Sequence, residues 1–464
     1  MLFSSLTFIA LFLPAFLLCY FAAHFALPKV RDFILVLFSL FFYAWGEPLW
    51  VLALLFSGTL DYCCGMSLGR HSGPKHRRKV LLISLVCNLG LLFVFKYSGF
   101  VCENLNAAFG LGIPVPTFNL PLGISFYTFQ TLSYTIDVCS GKVERQKSYI
   151  AFMAYVTMFP QLVAGPIVRY ADIAQDLKDR RLSLENFSKG VTRFSIGLAK
   201  KVVLANPAGA AASMLLAEGV RLTAASAWLG ITFFAFQIYF DFSGYSDMAI
   251  GMGKMAGFTF PENFTYPYEA TSISDFWRRW HISLSSFFRD YVYIPLGGNR
   301  KRQIRNIAVV RLLTGFWHGA SWNFILWGAY YGLLLLLERY PLRRIVTATP
   351  PFLSRIVTFV AVLAGWGLFY FTDFADLTTF FKAFLFIDVP LTSFLPGSIL
   401  ISHAWLMLAL VIGSTSLPKK AMEAVLAKYP QLSFSEPVYA AACVVVSFFM
   451  LLGQTYNPFL YFRF

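Results

Sequence analysis

Long apolar runs separated by short polar turns set the plan of this chain. Leu6 to Leu27 contains no Asp, Glu, Lys or Arg, and its length suits a membrane crossing, which takes about 20 apolar residues. No basic segment precedes it, so it reads as a first transmembrane helix rather than a cleaved signal. Lys29 and Arg31 follow; basic loops favour the cytoplasm, which places the N-terminus outside. Phe33 to Trp45 returns outward, Glu47-Pro48 turns, and Trp50 to Leu68 comes back in. It meets a basic loop, Arg70 to Lys79, that holds Arg70, Lys75, Arg77, Arg78 and Lys79. Val80 to Phe95 then goes out again.

The pattern changes character beyond residue 120. Leu120 to Val138 is rich in Ser, Thr and Tyr, the composition of a helix buried among protein or of a re-entrant segment. Tyr149 to Val168 carries Pro160 and Gly165-Pro166 and is expected to be broken. Arg169 to Lys201 is the most polar stretch, expected as a cytoplasmic loop with an amphipathic helix. Ala224 to Met255 places Asp241, Asp247 and Lys254 in an otherwise apolar run. Intramembrane acids face a bundle interior or a watery cavity, so Asp241 is read either as a packing residue or as a substrate-binding one. Further spans are expected at Phe324 to Leu337, Ile356 to Phe371, Ile401 to Ile412 and Val438 to Leu452. The basic cluster from Arg300 to Arg311 and that at Arg339, Arg343 and Arg344 stand one span apart. Parity would put them on opposite sides, which predicts a re-entrant or partial helix between them. The expectation is one all-α membrane domain over residues 1–464, with about ten to twelve spans plus re-entrant and interfacial helices.

The stretch from Thr271 to Gly328 holds two of the six histidines, His281 and His318, 37 positions apart. Projected as one helix from Asp275 to Val292, Phe276, Trp277, Trp280, Leu284, Phe287, Phe288 and Tyr291 share an arc of about 120°. Arg278, Arg279 and Arg289 lie opposite. Ser272 and Asp275 form a capping-box pattern at its start. Such a helix is expected to lie in the membrane interface, with His281 at the border of its faces. His318 follows Trp317 in a segment, Asn306 to Trp327, whose only charged side chain is Arg311. A neutral imidazole at that depth can serve as a base near neutral pH. The alternative is packing, with Gly315 and Gly319 as a GxxxG face and His318 as interhelical glue.

Composition narrows the classes. Of 464 residues 58% are hydrophobic and 13% charged, and the net charge is +15. The basic residues sit in short loops between apolar runs, a pattern of topology and anionic-lipid contact rather than of nucleic-acid binding. Seven cysteines, with Cys63 and Cys64 adjacent, give neither a disulfide framework nor a CxxC metal spacing. The HExxH and GxxxxGK[ST] patterns are absent from the sequence, which removes the commonest soluble metalloprotease and ATPase classes.

Five blocks carry a resemblance: PLGISFYTFQTLSYTIDV, FPQLVAGPIVRY, YFDFSGYSDMAIGMGKMAGF, NFTYPYEATSISDFWRRWHISLSSFFRDYVYIPLGGNR and GFWHGASWNFILWG. In content and order the chain resembles the membrane-bound O-acyltransferases (MBOAT), and within them the bacterial alginate O-acetyltransferase (AlgI-like) branch. The resemblance implies a ring of helices around a funnel, with His318 near its base and His281 at the second family position. It implies no bound cofactor, a cytoplasmic thioester donor such as acetyl-CoA, and His318 as general base. Arg278 and Arg279 would hold donor phosphates or anionic lipid, with Trp317 and Asp241 as further substrate-binding candidates. It also implies a bacterial inner-membrane location, an exported polysaccharide acceptor and a periplasmic SGNH-type partner. Peptidoglycan O-acetylation, D-alanyl transfer, and a conduit or scaffold without chemistry of its own remain alternatives.

Overall fold

The computed structural model describes residues 1–69, 73–163, 165–217 and 219–453. Arg70 of the predicted basic loop and Ala164 of the predicted break lie outside them. Helices and connecting segments account for the described residues, with no strand among them. The chain divides into two compact units, residues 1–194 with 245–261, and residues 195–244 with 262–464.

Membrane character follows from the helices. Among the described residues, Phe8–Ala26, Pro74–Phe109, Pro351–Tyr370 and Pro430–Gly453 are long and apolar enough to cross a bilayer. Phe394–Ser402 and Ala404–Gly413, bent by 67°, make a fifth if counted as one span. The remaining expected spans fall on shorter or more polar helices. The predicted basic loop is shorter than expected: Pro74 opens a helix at its first position, where proline's missing N–H costs nothing. Lys75, Arg77, Arg78 and Lys79 therefore ride on helical turns.

In the first unit the Ser/Thr/Tyr-rich segment forms Ile124–Ser140, with 14 of its residues buried, as its composition predicts. Its hydroxyls serve as acceptor-satisfying donors. The buried Asp61 carboxylate, on Val51–Ser67, accepts from Ser84 Oγ, from Thr135 Oγ1 at 2.6 Å and from Asn88 Nδ2 at 2.7 Å. These bonds tie three helices where water is absent. Tyr149–Thr157 ends before Pro160, and a four-residue helix, Phe159–Leu162, follows, so the predicted break is present. The polar segment after it forms Tyr170–Lys178, which buries Tyr170, Ile173 and Leu177, and then Leu184–Ala199.

The second unit contains a helical hairpin. Gln303–His318 runs one way, residues 319–321 turn, and Trp322–Arg339 runs back. Arg311 lies against Gly328 and Gly315 against Phe324, an antiparallel register. Both basic clusters consequently sit at the same end, where the Tyr340 hydroxyl and the Gln303 side-chain amide are hydrogen-bonded at 3.0 Å. This resolves the parity conflict as a re-entrant hairpin would. The glycine pairing differs from the expected GxxxG face. Gly315 packs on Gly328, while Gly319 lies beyond the helix end against the Phe324 ring.

The arginine-and-aromatic segment is not the continuous helix predicted for Asp275 to Val292. Ile273–Arg279 ends, Trp280 and His281 leave helical geometry, and Ile282–Phe288 begins afresh before a π turn at Arg289–Tyr293. Ser272 Oγ accepts from Asp275 N at 3.0 Å, but Asp275 returns its carboxylate to Thr271 N rather than to Ser272. The aromatic face forms as projected, yet protein covers it. Trp277 meets Trp327 and Tyr331 at 5.5 and 5.0 Å, and Trp280 meets Trp366 at 4.9 Å.

A Cβ added to Gly315 would collide with the Phe324 carbonyl, which cannot move without breaking the hairpin. Gly315→Ala should therefore cost about 1–3 kcal/mol and lower the unfolding temperature in detergent. Gly90→Ala, where a Cβ meets nothing within 4 Å, should be neutral or stabilising by up to about 1 kcal/mol. Equal unfolding temperatures for the two variants would contradict the role given to the glycine contact.

Candidate active site

The hairpin turn fixes His318. It is the last residue of the first arm, 4% exposed, and its ring lies 5.0 Å from Trp327 and 5.4 Å from Phe369. Aromatic walls hold one rotamer and keep the imidazole away from bulk water. Trp317, buried beside it, has its ring centroid 5.0 Å away.

His281 is positioned by the break in the arginine helix. It adopts φ +44°, ψ +56°, the left-handed region that histidine enters more readily than most non-glycine residues. Such a residue costs on the order of 1–2 kcal/mol and turns its side chain out of the helical register. The ring is 1% exposed, 4.7 Å from Phe242 and 6.0 Å from Trp317. Nδ1 stands 3.1 Å from Oδ1 of Asn263. Burial first, and the nearby His318 second, hold the His281 imidazole well below its ordinary pKa, so it is neutral at physiological pH.

Trp317 therefore lies within 6.0 Å of both histidine rings, and the tertiary fold brings together two imidazoles 37 positions apart. At the hairpin's basic end lies a cavity of about 760 Å³, whose lining includes Arg278, Arg289, Arg311, Arg339, Arg343 and Glu338. Arg311 also stacks over Trp277 at 4.3 Å. Five guanidinium groups around one carboxylate suit a polyphosphorylated anion. Seven residues separate Arg311 from His318, about 10 Å of helix.

The sequence has known relatives. The profile of "MBOAT, membrane-bound O-acyltransferase family" matches residues 35–377. The "Probable alginate O-acetylase AlgI" of Pseudomonas aeruginosa is 42% identical over 80% of this chain and 72% of its own length. That of Pseudomonas putida is 42% identical over 80% and 77%. The "Peptidoglycan O-acetyltransferase" of Helicobacter pylori is 36% identical over 80% and 77%. The chain belongs to the membrane-bound O-acyltransferase family. This MBOAT protein is thus an acyltransferase embedded in a membrane.

The candidate residues of this MBOAT divide on geometry. His318, His281 and Trp317 converge, and Arg278 lines the cavity. Arg279 is engaged elsewhere: its Nε lies 3.0 Å from Asp275 and Nη1 4.0 Å from Glu269. Asp241 is paired with Lys201 at 2.7 Å, both nearly fully buried, which favours its packing reading. Asp247 likewise meets Arg193 at 2.6 Å. Sequence reasoning passed over Arg289, Arg311, Arg339 and Arg343 as cavity residues. The signal available was two basic clusters flanking one hairpin; it was read as topology instead. Asn263 gave no signal beyond its place in a matching block.

Breaking the buried Lys201–Asp241 pair from one side leaves an uncompensated charge, at a cost of about 3–5 kcal/mol. Lys201→Met should therefore lower the unfolding temperature sharply. The Lys201→Met/Asp241→Leu double variant should recover much of the loss in a double-mutant cycle. Additive losses would remove the pairing as the reason for the two residues.

Proposed function

We propose that this protein transfers acetyl groups from a cytoplasmic thioester, acetyl-CoA, for O-acetylation of an exported, alginate-like polysaccharide at a bacterial inner membrane. The observation that carries the reading is the convergence of His318 and His281 on Trp317 at the tip of a hairpin whose base holds the arginine cavity. The donor's phosphates occupy that cavity on Arg278 and its neighbours, and its acyl arm runs along the hairpin toward His318. His318 takes the proton from an acceptor hydroxyl as the oxygen attacks the thioester carbonyl; the thiolate leaves. Aromatic walls exclude water, which would otherwise compete as acceptor. The shorter helices complete the ten to twelve spans, and a periplasmic SGNH-type partner passes the acetyl group to the polymer. Higher identity to the alginate O-acetylases than to the peptidoglycan O-acetyltransferase, 42% against 36%, favours the exopolysaccharide as acceptor.

The test uses purified protein in nanodiscs with radiolabelled acetyl-CoA, following thioester loss and label transfer, with the partner added. His318→Ala should lose about 10²–10⁴-fold in rate at unchanged protein level; undiminished turnover would refute the base assignment. Arg278→Ala should raise KM for acetyl-CoA several-fold while kcat holds. Arg279→Ala should instead lower the unfolding temperature and leave KM alone. An equal KM effect from both arginines would argue against the cavity as the donor site.

A further inference from the structure

Asn263 is 0% exposed and stands at the break that creates His281's conformation. Its backbone carbonyl accepts from Ile282 N at 3.0 Å. Its side-chain Oδ1 accepts from Ser283 N at 3.2 Å and from Ser283 Oγ at 2.8 Å. Two N–H groups that open the Ile282–Phe288 helix are thereby satisfied from outside, by a residue 19 and 20 positions upstream rather than by a local cap. His281, at the N-cap position, makes no side-chain cap bond.

These bonds also decide the imidazole's chemistry. A backbone N–H only donates, so the Asn263 atom facing Ser283 N is the oxygen and not the amide nitrogen. The same oxygen lies 3.1 Å from His281 Nδ1, which must then be the donor. A neutral imidazole carries one proton; with Nδ1 protonated, Nε2 keeps its lone pair.

We infer that Asn263 is a positioning residue that locks His281 as the Nδ1–H tautomer, making Nε2 a hydrogen-bond acceptor for the hydroxyl that is acylated. This rests on the proposed acyl transfer. His281 accepts from the hydroxyl and aligns it, while the proton leaves to His318. Phe242, Trp317 and Asn263, which approach the His281 ring, carry no charge, and His318 is the ionisable group beside it.

The test is 15N NMR of full-length protein labelled at histidine, in bilayers, with the His281 signals identified by their loss in His281→Gln. Wild type should show a protonated Nδ1 and an unprotonated Nε2; the opposite tautomer would overturn the inference without touching the acyl-transfer reading. Asn263→Asp keeps an acceptor oxygen, so it should keep the tautomer and raise the pH midpoint of His281 by about one unit or more. An unmoved midpoint would count against contact between the two side chains. Asn263→Leu should mix the tautomers and lower kcat about 10- to 100-fold, with KM for acetyl-CoA little changed. Retention of the wild-type tautomer and rate in that variant would also overturn it. Wild type lacking acetyl transfer, yet showing the assigned tautomer, would remove the proposed function and leave the geometry standing.

Discussion

Close approach of two helices at Gly315 and Gly328 is the constraint on which the site depends. With no side chain at either position, the arms of the hairpin meet backbone to backbone: a Cβ added to Gly315 would lie 3.2 Å from the Gly328 Cα. That approach lets 16 and 18 residues turn within three, placing His318 at the tip instead of on a lipid-facing surface. Any larger residue would separate the arms and draw Trp327 away from the imidazole it walls. Lipid offers little hydrophobic drive for helix association, so shape of this kind carries the packing.

The second constraint is aromatic. Trp277, Trp280, Trp327, Tyr331 and Trp366 fill the space between the arginine helix, the hairpin and Pro351–Tyr370. Large flat rings bury much area and interlock at tilted and edge-on angles. They leave the two histidines beside a shared tryptophan. Polar business is pushed to the hairpin's other end, where the arginines gather. One hairpin thereby separates a cationic pocket from two buried histidines by the length of a short helix.

The break at Trp280–His281 shows why periodicity misleads here. Phe276, Trp277, Trp280, Leu284, Phe287 and Phe288 fall on one side of a single projected helix, and all are buried. Local propensity gives no reason to stop. The interruption comes from Asn263, which supplies acceptors to Ile282 N, Ser283 N and Ser283 Oγ and so makes a second helix start cheap. A stable kink needs that distant partner, and a helical projection has no place for it.

The sequence by itself determined a helical membrane protein, because apolar runs of bilayer length have no other way to satisfy their backbone. It determined the buried helix at Ile124–Ser140, the break near Pro160 and the pair of histidines, since composition, proline and rarity are local facts. The assignment of partners was decided only by the tertiary structure. It paired Asp241 with Lys201, gathered Arg278 with arginines up to 65 positions away, and set Asn263 against His281. Charges and hydrogen-bonding groups act over a few ångströms, and which groups come that close is a property of the packed chain, not of spacing along it.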